Sequence, residues 1–557
     1  MRGSEILINV LRDEGVDVVF GYPGGAMLPL YDDLRSSDVR HVLVRHEQCA
    51  AHMADGFARV LKRPGVCMAT SGAGATNLVT GIATAFLDSS PVIALTGQVP
   101  TGNIGNDAFQ EADIFSLMIP ITKHNFRIMN PANLSNDLRS AFSIAASGRY
   151  GPVQVDLPRD ILTCDISSPI EPRKVSTNGM REDITELPQA IQLLESAERP
   201  LILVGGGAMW SGCGQDVITL AEMIASPVAT TLMGKSTVPE NHPLVLGMVG
   251  MHGRRVANYA LEECDALLAV GTRFSDRMIG DPSSCRTRVI HIDIDTGELG
   301  KNVRPTVALS GDAGLVIRAI SSSIHARRND GKWTERMGIL KKECACNLDL
   351  GDNPIKPQKV IYELSRLLPD DAIVTTEVGQ CQMFAAHFFE CRGKRQFITP
   401  GGLGTMGFGL PAAIGAKVAA PQRSVVDVAG DGSLLMVCQE LATAVEEDIP
   451  VFVCLLNNGR LGMIKQLQNM FYGGRMTAMD LGSSPDFVKL AEAFGVRAAR
   501  VKDPKDLESV IEEGMASDRP FLADIWIDRE EEVLPVTLRT ESGTQVIAGN
   551  CAWKGVC

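Results

Sequence analysis

Three long stretches of this chain each alternate short β-branched apolar runs with amphipathic runs of helical period. Nothing else in the sequence restricts the fold as much. Strands buried on both faces read as short continuous apolar runs, and parallel strands need a crossover helix between them. One unit shows the pattern plainly. "GVCMAT", "SGAGATNLVTGIATAFLDS" and "PVIALTG" predict a strand, a Gly-rich turn with a helix, and the next strand. The fold class is therefore α/β, as three consecutive parallel-sheet domains over residues 1–165, 187–325 and 357–535. A chain of 557 residues also exceeds what one core supports. "DISSPIEPRKVSTNGMREDITE" reads as a linker, and "SIHARRNDGKWTERMGILKKECACNLDLGDNPIKP" as a second polar segment leading into the third block. Residues 536–557 lose the periodicity and form a tail of unknown role.

A net charge of -13 argues against nucleic acid or an anionic membrane surface as the main partner. No apolar run approaches the roughly 20 residues of a membrane helix. "MRGSEILINVLRDEG" reads as an amphipathic helix rather than a signal peptide, so a soluble, cytoplasmic protein is expected. The 14 cysteines include no C-x-x-C and no Cys/His cluster at zinc spacing, and they read as buried small apolar residues in a reducing compartment. Cys344 and Cys346 are the one tight pair, and Cys551 and Cys557 in the tail have no reading.

The chemistry concentrates in the third block. "VVDVAGDGS" is a strand that ends at Gly430-Asp431-Gly432, and the strand after it ends at Asn457-Asn458 in "NNGR". Loops at the carboxyl ends of neighbouring parallel strands converge, so Asp431 and Asn458 can reach one point. A carboxylate and an amide oxygen are hard ligands, suited to Mg²⁺ or Ca²⁺ that also binds phosphate and water. The helix start after Gly432 offers free N–H groups to the same phosphate. Either residue alone would read as a helix cap or a turn. In the first block, "HVLVRHEQCAAHMADGFARV" puts Glu47 between a buried strand and a small-residue helix. A carboxylate in that apolar context needs a partner.

The G-D-G…N-N pattern resembles the signature of thiamine-diphosphate (ThDP) enzymes. The resemblance implies that Asp431, Asn458 and the backbone carbonyl of Arg460 hold Mg²⁺. Glu47 would hydrogen-bond the cofactor's aminopyrimidine ring, and Met406 would hold the cofactor in a bent shape so that the ring can act on the thiazolium C2–H. Over about residues 1–535 the chain is most similar to the acetolactate (acetohydroxyacid) synthase large subunits. "FGYPGGAMLPLYD", "RHEQ", "TGQVPTGNIGNDAFQEADIF", "SGRYGPVQVDLPRD", "GTRFSDR", "IDIDTGELGKNV" and "VGQCQMFAA" carry that similarity. It implies a pyrimidine-binding first domain, a central FAD-binding Rossmann-like domain and a diphosphate-binding third domain.

Position by position, Tyr22, Gly24, Gly25, Thr70, Asn77 and Gln110 would line the pyrimidine side with Glu47. Gly379, Gln380, Gly404, Gly432 and Ser433 would hold the diphosphate end. Arg149, Gly205, Gly206, Gly207, Met251, His252, Arg273, Asp293 and Asp312 would contact FAD, and Arg277 the carboxylate of a second 2-oxo acid. The implied activity is a carboligase that decarboxylates pyruvate and forms 2-acetolactate, in branched-chain amino acid biosynthesis. The alternatives are an FAD-linked pyruvate oxidase and a related acyltransferase with another acceptor. A homodimer or homotetramer is implied, with room for a small regulatory subunit. Five positions depart from the pattern: Leu467 and Phe384 stand for Trp, Ala73 for Pro, Ser275 for Asp and Cys381 for His. The resemblance implies that a Trp at position 467 favours 2-oxobutyrate as acceptor, so Leu467 bears on acceptor preference.

Overall fold

The computed structural model describes residues 1–166, 182–279, 287–325, 331–344, 353–482, 485–540 and 543–547. Within them lie three six-stranded parallel sheets and one antiparallel hairpin. The first sheet contains β1 (Val18–Gly21), β2 (Arg40–Leu43), β3 (Gly65–Ala69), β4 (Val92–Gln98), β5 (His124–Arg127) and β6 (Val153–Pro158), in the order β2-β1-β3-β4-β6-β5. The second contains β7 (Pro200–Val204), β8 (Val228–Thr230), β9 (Val245–Met248), β10 (Ala266–Val270), β11 (Arg288–Asp293) and β12 (Val307–Ser310). Their order, β12-β11-β10-β7-β8-β9, is that of dinucleotide-binding sheets. The third contains β13 (Ile373–Thr376), β14 (Gln396–Ile398), β15 (Val425–Gly430), β16 (Phe452–Asn457), β17 (Arg497–Val501) and β18 (Phe521–Trp526), ordered β14-β13-β15-β16-β18-β17. β19 (Val536–Thr540) and β20 (Gly543–Ile547) form the hairpin.

Central strands such as β3, β4, β7 and β10 are buried along their whole length, as their unbroken apolar runs require. The first and third sheets share one hydrophobic core. Its centre is the crossing of the helices Glu47–Leu61 and Gly409–Ala419. Glycines let their backbones touch. A Cβ on Gly56 would lie 2.3 Å from the carbonyl oxygen of Ala412, and one on Gly415 would lie 2.0 Å from that of Met53.

Buried charges tie the same two units. Arg59 pairs with Asp55 and Asp88 at 2.7 Å each. It also donates to the carbonyl of Thr399 at 2.9 Å, while Asp88 accepts from the Gly402 N–H at 2.7 Å. The loop that carries Gly404 and Met406 is thereby anchored on the first unit.

Four expectations change. The strand before Glu47 is the sheet edge and only half-buried, because β2 pairs with β1 alone. The helix expected in "SGAGATNLVTGIATAFLDS" is two, Ala73–Asn77 and Val79–Leu87. The second polar segment contains a helix, Lys332–Glu343. Its Trp333 and Met337 are buried against the second sheet's helices, and the Trp333 indole donates to the carbonyl of Pro200 at 3.0 Å. Residues 536–540 and 543–547 of the supposed tail form the hairpin's two strands. The Thr537 N–H donates to the carbonyl of Met251 at 2.8 Å, which fixes the hairpin's start against the second unit. Cys346, Cys551 and Cys557 lie outside the described residues. Among the described cysteines, Cys49, Cys67, Cys213, Cys264, Cys381, Cys391 and Cys454 are buried as small apolar residues.

Candidate active site

Parallel α/β sheets hold ligands outside the carboxyl ends of their strands, where the strand order reverses. That point lies between β1 and β3, between β7 and β10, and between β13 and β15. Most of the residues singled out in the sequence sit on the loops leaving these strands.

At the third sheet, Asp431 follows β15 and Asn458 follows β16. Asp431 is 4% exposed, and its carboxylate accepts from the N–H of Gly432 at 2.8 Å and of Gly459 at 2.6 Å. The two strand ends are thus clasped together. The side-chain oxygen of Asn458 accepts from the N–H of Arg460 at 3.0 Å, and its carbonyl accepts from Arg529 at 3.0 Å. Burial pushes the Asp431 carboxyl up to about 6, against the pull of the loop N–H groups. A divalent cation would hold it ionised.

Ser433 donates to the carbonyl of Val378 at 3.2 Å, joining the β15 and β13 loops. Gly379 has φ 137°, outside the range of most side chains, and Gly404 (φ 74°) has nothing within 4 Å of where a Cβ would sit. Gln380 donates to Gln466 at 3.0 Å and to the carbonyl of Glu531 at 3.1 Å. The methyl end of Met406 reaches to 3.7 Å of a Cβ placed on Gly432.

At the second sheet the ends of β7 and β10 nearly touch. A Cβ on Gly205 would lie 2.2 Å from the carbonyl oxygen of Gly271, and one on Gly207 would lie 2.8 Å from Gly271 Cα. Arg149 pairs with Glu298 at 2.8 Å, and Arg273 donates to the carbonyl of Leu87 at 2.7 Å. Asp312 caps the helix Ala313–Ser323 at 3.0 Å and accepts from Ser211 at 3.0 Å. Asp293 ends β11, and burial pushes it up to about 6. His252 is pushed down to about 4 by burial and by the Arg277 charge, so it is neutral at pH 7.

One cleft of about 940 Å³ joins these two regions. Its walls include Gly206, Gly207, Arg149, Met251, His252, Arg273, Asp293 and Asp312 from one side. From the other come Gly379, Gln380, Gly404, Met406, Asp431, Gly432, Ser433, Asn458 and Arg460. Arg277, with its side chain 73% exposed, and Leu467 stand in the same walls. Gly205 lies behind the wall, packed on Gly271. The sequence missed Asp88 and Ser89, which follow the helix Val79–Leu87 and also line the cleft.

The first-sheet residues are gathered elsewhere. Glu47 begins its helix, half-buried, and accepts from Asn77 at 2.9 Å. A Cβ on Gly74 would lie 2.9 Å from both Glu47 Oε1 and Thr70 Cγ2, and one on Gly24 would lie 2.4 Å from Thr70 Cβ. Thr70 is buried with its hydroxyl unpartnered. Tyr22 is 42% exposed, Gly25 and Gln110 (φ 61°) are exposed, and a Cβ on Gly72 would lie 2.6 Å from the Gln110 carbonyl oxygen. None of these residues lines the cleft. The Glu47 junction is itself held from the third unit. The fully buried Glu440 accepts from the Arg45 N–H at 3.0 Å, and His46 caps the helix by accepting from the Gln48 N–H at 3.2 Å.

A dinucleotide-type sheet set between two like-ordered sheets with different strand-end chemistry defines a cofactor-dependent α/β enzyme. Three family models match in that order. They are the thiamine pyrophosphate enzyme N-terminal TPP-binding domain (residues 1–117), the central domain (187–320) and the C-terminal TPP-binding domain (377–525). The chain is 51% identical over 552 residues to a probable acetolactate synthase large subunit of Methanocaldococcus jannaschii, covering 96% of this chain and 93% of that protein. It is 43% identical over 556 residues to the acetolactate synthase isozyme 3 large subunit of Escherichia coli, covering 97% of each. To the isozyme 2 large subunit of the same organism it is 42% identical, covering 98% of this chain and 99% of that one. The chain belongs to the thiamine pyrophosphate enzymes, in the family of the acetolactate synthase large subunits.

Proposed function

We propose that this chain is a ThDP-dependent carboligase that converts two molecules of pyruvate into 2-acetolactate and CO₂. The observation that carries the reading is the cleft in which Asp431, Asn458 and Gly379 face the β7–β10 crevice. The donor set fits Mg²⁺ with a diphosphate. It offers one carboxylate, one amide oxygen and a backbone carbonyl, next to loop N–H groups and a left-handed glycine. The unpartnered Thr70 hydroxyl and the open space over Gly25 fit an aromatic ring with polar edges beside Glu47. The second sheet's order and its touching glycines fit FAD, held between Arg149, Arg273 and the Asp293–Asp312 side.

When bound, ThDP supplies a place for the electron pair left on the acyl carbon as CO₂ departs. The chain's own groups do the rest. The Glu47 carboxylate holds a proton at the aminopyrimidine nitrogen, with Asn77 fixing its direction. Met406 would support the ring system at the cleft wall, and Arg277 would offer a planar guanidinium to the carboxylate of the second 2-oxo acid. Leu467 leaves a smaller apolar wall than Trp beside that acceptor.

The Glu47 cluster and the cleft are separate surfaces on one chain, so each complete site needs a second copy. We therefore read the working form as at least a homodimer, with residues 1–165, 187–325 and 357–535 as pyrimidine, flavin and diphosphate domains. The relatives are named large subunits, which supports a small regulatory partner. No described helix is long and apolar enough to cross a membrane, in keeping with a cytoplasmic enzyme.

Purified protein supplied with ThDP, Mg²⁺, FAD and pyruvate should release CO₂ and accumulate acetolactate. No acetolactate above a cofactor-free blank would refute the reading. Stoichiometric flavin reduction at the rate of turnover would move it to the oxidase class.

A further inference from the structure

Two carboxyl groups beneath the cleft have no part in the reading so far. Glu377 follows β13 and Asp427 lies within β15, both fully buried. Glu377 accepts from the backbone N–H of Gly407 at 2.8 Å and of Leu410 at 3.3 Å, at the amino end of the helix Gly409–Ala419. That helix end stabilises an anion. Asp427 differs. One of its oxygens accepts from the Thr375 hydroxyl at 3.2 Å, and the other has no partner.

The helix start rests on both. A Cβ on Gly409 would lie 2.2 Å from Asp427 Oδ1 and 2.9 Å from the Glu377 nitrogen. Neither group forms an ion pair with a cation among the described residues, and no cation stands among the leading influences on either. Burial raises both carboxyls, and the Glu377 charge raises Asp427 further. The other titratable groups facing the pair are thiols, Cys49, Cys381 and Cys454, all raised by burial and neutral. Two uncompensated anions in such a place are too costly, and a neutral orphan oxygen costs far less than a charged one.

We propose that Glu377 and Asp427 are a positioning pair that shares one proton. Ionised Glu377 grips the Gly407–Leu410 turn, and protonated Asp427 fills the space beside it. Met406 directly precedes that turn, so the pair sets where its side chain stands. This rests on the reading of Met406 as the residue that supports the bound cofactor.

The test compares Asp427→Asn and Glu377→Gln by infrared spectroscopy and by turnover of the ThDP-loaded protein. Asp427→Asn should remove one carboxylic-acid C=O stretch seen in the unaltered protein at neutral pH, with or without ThDP, and should keep most of the turnover. Glu377→Gln turns an amide toward the helix N–H groups. It should still bind ThDP but lose about 10- to 100-fold in kcat, the size of a lost charge-assisted hydrogen bond. The near-ultraviolet circular dichroism of the bound aminopyrimidine should weaken with it. If Glu377→Gln does not fold, the infrared band and turnover of Asp427→Asn decide. Absence of the acid band, unchanged kcat in Glu377→Gln, or equal losses in both variants would overturn the pair. Met406→Ala, run alongside, isolates the other premise: full turnover there with the acid band intact would overturn the role of Met406 and leave the pair standing.

Discussion

The first and third sheets share one strand order, 2-1-3-4-6-5, yet their carboxyl edges carry opposite equipment. The third ends in clasped loops with a buried aspartate, an Asn and left-handed glycines, which suit a metal and phosphates. The first ends in Tyr22, Thr70 and a half-buried Glu47, which suit the edge of a ring. One topology therefore offers two kinds of crevice, and the residues just past each strand decide which. The second sheet has a different order and opens onto the third sheet's cleft, not onto the Glu47 face.

Substitutions can break the comparison at each level. Removing the Glu47 carboxylate should hurt most. Glu47→Gln should still bind ThDP and Mg²⁺ but lose about 10²–10⁴ in kcat, the range for a positioned proton-transfer group. Steady-state rates together with a ThDP binding isotherm check this, and unchanged turnover would strip Glu47 of proton chemistry. The tie between the two sheets comes next. Arg59→Met strands Asp55 and Asp88 in the core and should cost about 3–5 kcal/mol of stability, read from denaturant midpoints.

Gly415→Val would push a side chain onto the Met53 carbonyl. It should cost about 1–3 kcal/mol, visible as a lower melting temperature, and it tests whether the helix crossing holds the two crevices in register. The smallest effect is confined to the cleft. Leu467→Trp should move acceptor choice toward 2-oxobutyrate over pyruvate by about 1 kcal/mol, measured by competing the two acids.

Much of the frame was legible in the sequence. Uninterrupted apolar runs such as "PVIALTG" and "PLILV" belong to central strands, and their spacing gave three parallel sheets. Asp431 and Asn458 were found because each ends a strand, and parallel strand ends must meet. What stayed hidden depends on distant partners. Glu377 and Asp427 interrupt the apolar runs "AIVTTEVG" and "SVVDVAG", a visible signal, but only the helix at Gly409 gives that signal a meaning. Arg59 and Asp88 read as ordinary charges until the fold pairs them and sets the Thr399–Gly402 loop against both. The hairpin strands at 536–540 and 543–547 have too weak an alternation to stand out, since the first is stabilised by contacts with Met251 and Asn258 rather than by its own pattern.

The central claim is that the Glu47 face of one chain and the Asp431 cleft of another make one site. Co-expressing Glu47→Gln and Asp431→Ala chains, each inactive alone, tests it most directly. In a shared-site dimer, every hybrid keeps one intact pair of faces, so about a quarter of the unaltered activity should return in the mixture. A mixture as inactive as its two parents would contradict the shared site and place both halves of the chemistry within a single chain.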